Sequence, residues 1–180
     1  MTDEQEVSGP AEHPDLAPLS FLLGRWEGVG KGDYPTIEAF DFIQELTFSH
    51  NGKPFLIYTS RSWRLEHDEN GRRVKGQPLG METGFWRPRP GGHVEVLLTH
   101  PTGITEIYVG EVSGTTVEMA TDAVVRTESA KPYAAGKRLY GLVDSEREGE
   151  KDLAYAFDMA AMGQPLQPHL WARLAWAWTN

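Results

Sequence analysis

The run Gln164-Pro165-Leu166-Gln167-Pro168-His169-Leu170-Trp171-Ala172-Arg173-Leu174 sets one histidine directly after a proline, at the start of an apolar stretch. A neutral imidazole is the commonest protein ligand for a metal, and a haem asks for only one axial side chain, the rest of its binding coming from an apolar pocket. Pro168 fixes its own φ and biases Gln167 to an extended conformation, so the chain itself steers the imidazole. The chain has no cysteine, which excludes disulfides, cysteine zinc sites, iron–sulfur clusters, thiolate-ligated haem and c-type haem attachment. Any metal must be held by histidine, carboxylate or tyrosine. Of the other histidines, His13 lies in a polar N-terminal stretch, His50, His67 and His93 sit at turns, and His100 ends a strand beside Pro101. A lone histidine is more often structural than ligating, so the surrounding elements decide.

Those elements are strands. Residues 1–14 are polar, with Gly9, Pro10 and Pro14, and read as a disordered tail. Asp15 is the expected cap of a short helical turn through Leu16, Ala17, Leu19 and Phe21 that ends by Gly24. From Trp26 onward the pattern has period two: Phe40, Phe42, Leu46 and Phe48 share one parity, Asp41, Glu45 and Thr47 the other. Further strands are expected over 55–65, 82–87, 93–99, 104–112, 116–121, 124–129, 137–143, 152–159 and 169–176, separated by turn sequences such as Asn51-Gly52-Lys53-Pro54 and Pro90-Gly91-Gly92. About ten short strands with hardly any helical periodicity predict an all-β fold, a ten-stranded antiparallel up-and-down β-barrel of the lipocalin type, because closure removes exposed edges. A barrel of that size is not filled by side chains alone, so a ligand cavity is expected. The charged stretch 144–151 reads as a solvated loop.

A single domain over residues 15–180 suffices for this length, with 39% hydrophobic residues. The formal net charge of −9, without a basic stripe, argues against a nucleic-acid partner. The acidic N-terminus has no apolar segment and no run of about 18 apolar residues exists, so neither a signal peptide nor a membrane span is expected, and a cytoplasmic location is the default.

Several spaced motifs carry a family resemblance. Gly24-Arg25-Trp26-Glu27-Gly28-Val29-Gly30 matches the G-x-W-x-G-x-G signature of the nitrobindins, followed in order by Tyr34-Pro35-Thr36-Ile37, Gly84-Phe85-Trp86-Arg87-Pro88, Thr102-Gly103 and Pro165-Leu166-Gln167-Pro168-His169. The chain resembles that family over residues 16–176. The resemblance implies a barrel carrying one haem b per subunit as ferric iron, with His169 as axial ligand and catalytic centre. The implied activity is isomerisation of peroxynitrite to nitrate, with nitric oxide as a further ligand. It also places Thr36, Lys137, Met159, Leu79 and His100 at the cofactor, Lys137 and Thr36 as partners for the propionates. Some relatives carry a distal histidine where this chain has Gly80, which leaves an open, apolar distal face as the expectation. On physical grounds the motif residues Gly24, Trp26, Gly28 and Gly30 are architectural, the glycines allowing close backbone approach and Trp26 closing the barrel end.

The rival function is a non-enzymatic carrier of a fatty acid, another lipid or haem in the same barrel, for which Arg61, Arg126, Arg138 and Arg173 in strand segments could receive a carboxylate. Trp171, Trp176 and Trp178 crowd the last strand, and an apolar outer parity there would mark a homodimer contact.

Overall fold

The computed structural model describes residues 9–177, and the first eight residues of the expected tail lie outside it, as does Trp178. A 3-10 helix over Pro14–Leu22 precedes ten strands: β1 (Gly24–Tyr34), β2 (Ile37–Ser49), β3 (Leu56–His67), β4 (Arg73–Arg89), β5 (His93–His100), β6 (Ile104–Ser113), β7 (Thr116–Arg126), β8 (Tyr133–Asp144), β9 (Lys151–Ala161) and β10 (Gln167–Ala177). Each pairs antiparallel with its chain neighbours, and β1 pairs with β10, so the sheet closes as the sequence predicts.

Three local expectations change. The helix is capped by His13, whose Nδ1 accepts from the Asp15 N–H at 3.2 Å, so Asp15 is a first-turn residue and not the cap. The segments 116–121 and 124–126 are one strand, β7, with a register shift opposite Ile107 and Tyr108 that a period-two reading takes for a break, and 127–129 fall in the turn that follows. Strand β4 begins nine residues earlier than expected, because Gly76, Pro78 and Gly80 look like turn residues and yet run in extended backbone alongside β3.

Inward parity builds the core. Leu16, Leu19 and Leu22 of the helix are fully buried and stopper one end, together with Trp26, Phe48, Leu56, Trp86 and Leu174. The Trp26 indole N–H donates to the Leu22 carbonyl at 2.8 Å, tying stopper to wall. At Gly30 a side chain would collide with the Phe42 ring and the Trp171 carbonyl, so the glycine is required by close approach. The motif around Trp26 is therefore structural. On β2 the outer-parity Glu45 is nevertheless buried, under Arg25, Arg61 and Lys75. Burial would raise its pKa, but those three cations outweigh that and hold it below the usual carboxylate range.

Trp171 and Trp176, five residues apart, lie on opposite faces of β10, since strand parity alternates. Trp171 and Trp176 therefore do not share one outer stripe of β10.

Candidate haem and substrate cavity

At the end opposite the helical stopper, a cavity of about 300 Å³ lies between the strands. His169 reaches it through a defect in the sheet. On β10 the register against β9 shifts between Pro168 and Leu170, leaving His169 as the extra residue of a β-bulge. Regular alternation would send His169 and Leu170 to opposite faces, and the bulge turns both into the cavity. Pro168 has no N–H to lose at this break.

The imidazole is held from three sides. Its Nδ1 donates to the Asp33 carbonyl at 3.1 Å, at a second bulge between Gly32 and Tyr34 on β1. Edge-on contacts come from Tyr34, with ring centroids 5.3 Å apart, and Phe157, at 5.8 Å. Tyr34 is itself fixed: its hydroxyl accepts from the Ala161 N–H at 2.9 Å and donates to the Met159 carbonyl at 3.1 Å. With the proton assigned to Nδ1 by the carbonyl, Nε2 carries a free lone pair. Burial, and to a lesser degree the charge of Arg138, pushes the His169 pKa below its ordinary value, which keeps that lone pair unprotonated near neutrality.

Around it the walls are apolar: Leu79, Ile104, Phe157, Met159 and Leu170. Pairing of β4 with β5 starts only at Thr83 and Thr99, so the first half of β4 has no β5 partner and the cavity opens sideways beside Leu79, Gly80 and Met81.

The far wall is polar, which corrects the expectation of an apolar distal face. Inward parity on β4, β6 and β8 brings Glu82, Glu106 and Arg138 together inside the barrel. Arg138 is buried and donates to both Glu82 oxygens, at 2.7 and 2.8 Å, while its Nε donates to the Tyr108 hydroxyl at 3.1 Å. Tyr58 donates to Glu82 at 2.7 Å. Glu106 accepts from the Tyr108 hydroxyl at 2.6 Å and from the Tyr133 hydroxyl, and lies 2.6 Å from His100 Nε2. For Glu82, burial would raise the pKa, but the guanidinium, its two hydrogen bonds and the neighbouring donors hold it at about 2. Glu106 is lowered by the same balance, burial opposed chiefly by His100 and Arg138. Burial raises the Tyr108 and Tyr133 pKa values, so both remain hydroxyl donors.

Of the residues picked from sequence, His169, Met159, Leu79 and His100 line this one cavity. Lys137 does not. It follows Gly136 on the outward parity of β8, pairs with Glu118 at 2.6 Å on the barrel's outside, and its inward neighbour is Arg138. Thr36 is exposed in the β1–β2 turn, two residues past Tyr34, and does not line the cavity. Glu82, Glu106 and Tyr133 were missed. Their one sequence signal is a polar residue in phase with buried aromatics, Glu82 with Trp86 and Glu106 with Tyr108.

The residues present fit a haem: one oriented, unprotonated imidazole nitrogen in a laterally open cavity whose walls around that imidazole are apolar. Comparison with known proteins agrees. A family model described as the THAP4-like, heme-binding β-barrel domain matches residues 15–175. The chain belongs to this family. A protein of Nocardioides sp. strain JS614 named peroxynitrite isomerase is 57% identical over 162 residues, spanning 90% of this chain and 93% of that one. A ferric nitrobindin-like protein of Thermobifida fusca is 47% identical over 174 residues, with the same coverages. The crystal structure of Rv2717c from M. tuberculosis superposes with a TM-score of 0.77 at 39% identity, covering 93% of this chain and all of that one. No helix among the described residues is long and apolar enough to cross a membrane.

Proposed function

We infer that this protein is a haem-dependent peroxynitrite isomerase that converts peroxynitrite to nitrate. The observation that carries the reading is the bulged His169, its Nδ1 tied to the Asp33 carbonyl and its Nε2 free toward the cavity. The names of relatives up to 57% identical over most of the chain support the reaction. A bound ferric haem would supply Lewis-acid activation of the O–O bond of an anion.

The protein's own residues do the rest. His169 would hold the iron, and Tyr34 and Phe157 fix the ring against rotation. Leu79, Ile104, Met159 and Leu170 give the cavity an apolar lining that would exclude water from a bound anion. The sideways opening at Gly80 admits a small anion without requiring the barrel to unfold. No side chain need donate or remove a proton, because peroxynitrite and nitrate carry the same atoms and charge.

The absence of cysteine supports non-covalent haem b, and a single such imidazole per chain supports one haem per subunit. Nitric oxide would occupy the same open coordination position. The carrier reading is disfavoured by the side chains it would need. Both terminal nitrogens of Arg138 are taken by Glu82, Arg61 and Arg173 point outward to Glu45 and Asp152, and Arg126 donates to the Ala130 carbonyl.

Titration of the purified protein with ferric haem tests the site. A saturable Soret band at one equivalent that is lost or strongly weakened in His169→Ala, with nitrate yield from peroxynitrite falling in parallel, is the expected result. The same band and the same nitrate yield in both proteins would overturn it.

A further inference from the structure

A second histidine, His100, lines the same cavity as His169. In the circular strand order β10 and β5 are five positions apart out of ten, so His169 and His100 stand on opposite walls of one cavity. Two imidazoles facing each other across a haem would ordinarily close both axial positions. The partners of the two rings differ in kind. His169 is bound at Nδ1 by a neutral carbonyl, which leaves Nε2 free. His100 has a carboxylate beside each nitrogen: Glu106 Oε2 lies 2.6 Å from Nε2 and Glu82 Oε2 lies 3.6 Å from Nδ1.

Neither carboxylate is free to move. Glu106 is 1% exposed and anchored by Tyr108 and Tyr133, and Glu82 is clamped by both terminal nitrogens of Arg138 and by Tyr58. The backbone of His100 is tied as well, its carbonyl accepting from the Gly103 N–H at 3.1 Å across the Pro101-Thr102 turn. An imidazole nitrogen that donates to a carboxylate has no lone pair to offer a metal.

We propose that Glu106, backed by Glu82, is a positioning residue that tethers His100 to the wall and so keeps the sixth coordination position open for substrate. The proposal rests on the haem reading and adds a role to residues that the axial ligand alone does not require. It also accounts for a buried ionic network in a cavity whose cargo needs apolar walls. Arg138 holds Glu82, the tyrosines hold Glu106, and Glu106 holds the histidine at Nε2.

The test is the spin state of ferric haem bound to wild type, Glu106→Ala, the volume-preserving Glu106→Gln, and Glu106→Ala combined with His100→Ala. The Soret band and the electron paramagnetic resonance spectrum report whether the iron gains a second imidazole. Wild type is expected to be high-spin. Glu106→Ala should convert most of the haem to a low-spin, bis-histidine form, Glu106→Gln a smaller share, and His100→Ala should return the double variant to high spin. Glu106→Ala with native circular dichroism that binds haem and stays high-spin overturns the tether alone, as does a low-spin wild type that His100→Ala turns high-spin. Absence of any Soret band in wild type overturns the haem reading and the tether with it.

Discussion

Replacing Arg138 with methionine removes the guanidinium that pairs with both Glu82 oxygens and leaves a carboxylate that is 13% exposed inside the barrel. Breaking a buried pair from one side costs about 3–5 kcal/mol, because the remaining charge is uncompensated. The structure gives an independent figure. Glu82 is held at about 2 against an ordinary 4.5, a difference equivalent to about 3 kcal/mol of folding stability. The folded pKa lies below the unfolded one, so this contribution is fully present above pH 4.5 and is lost as pH falls toward 2. Arg138→Met should therefore lower the urea-unfolding free energy by about 3–5 kcal/mol at pH 7. The gap from wild type should narrow steadily below pH 4.5, where wild type loses what the variant has already lost. Adding Glu82→Leu should restore part of the loss, since an apolar pair of similar volume leaves no charge to solvate. Tryptophan fluorescence in urea at pH 7, 4.5 and 3 measures all three proteins. A loss under about 1 kcal/mol at pH 7, or a gap that does not change with pH, would refute the account of the network.

Two further outcomes follow from His169 and its supports. Tyr34→Phe leaves the buried Ala161 N–H without its acceptor, and should cost about 1–3 kcal/mol in unfolding free energy; haem affinity by Soret titration should fall as well, because the ring edge against His169 is no longer pinned. The His169 pKa is pushed down by burial, so the ring remains neutral to lower pH than a free imidazole; haem loading should persist at pH 6.5 and be released with a midpoint below it, read from the Soret band against pH.

The barrel was legible because period two survives on strands such as β2, where Phe40, Phe42, Leu46 and Phe48 share the inner side. Where the pattern bent, the reading bent with it. The β7 register shift at Asp122 split one strand into two, and Gly76, Pro78 and Gly80 hid the first half of β4. In the site, His169 was singled out from sequence by its place in the Pro-Leu-Gln-Pro-His run of the family resemblance, while the bulge that turns it inward shows only in the strand register. The far wall could not, since Glu82, Glu106 and Arg138 come from three strands and no local pattern joins them. Lys137 shows the limit most plainly: a motif position identifies a stretch, but one residue of parity decides whether lysine or the adjacent arginine faces inward.

The unpaired first half of β4 does more than open the cavity. Over residues 73–82 the strand offers one row of backbone donors and acceptors that β3 does not use, beside a mouth lined with Leu79 and Met81. Such an edge is a template for pairing with another chain. Lys75 on this edge carries charge, Pro78 removes a donor, and Gly76 and Gly80 weaken extended propensity. The residues that make the segment look unlike a strand thus let the barrel keep an open seam and still resist edge-to-edge aggregation.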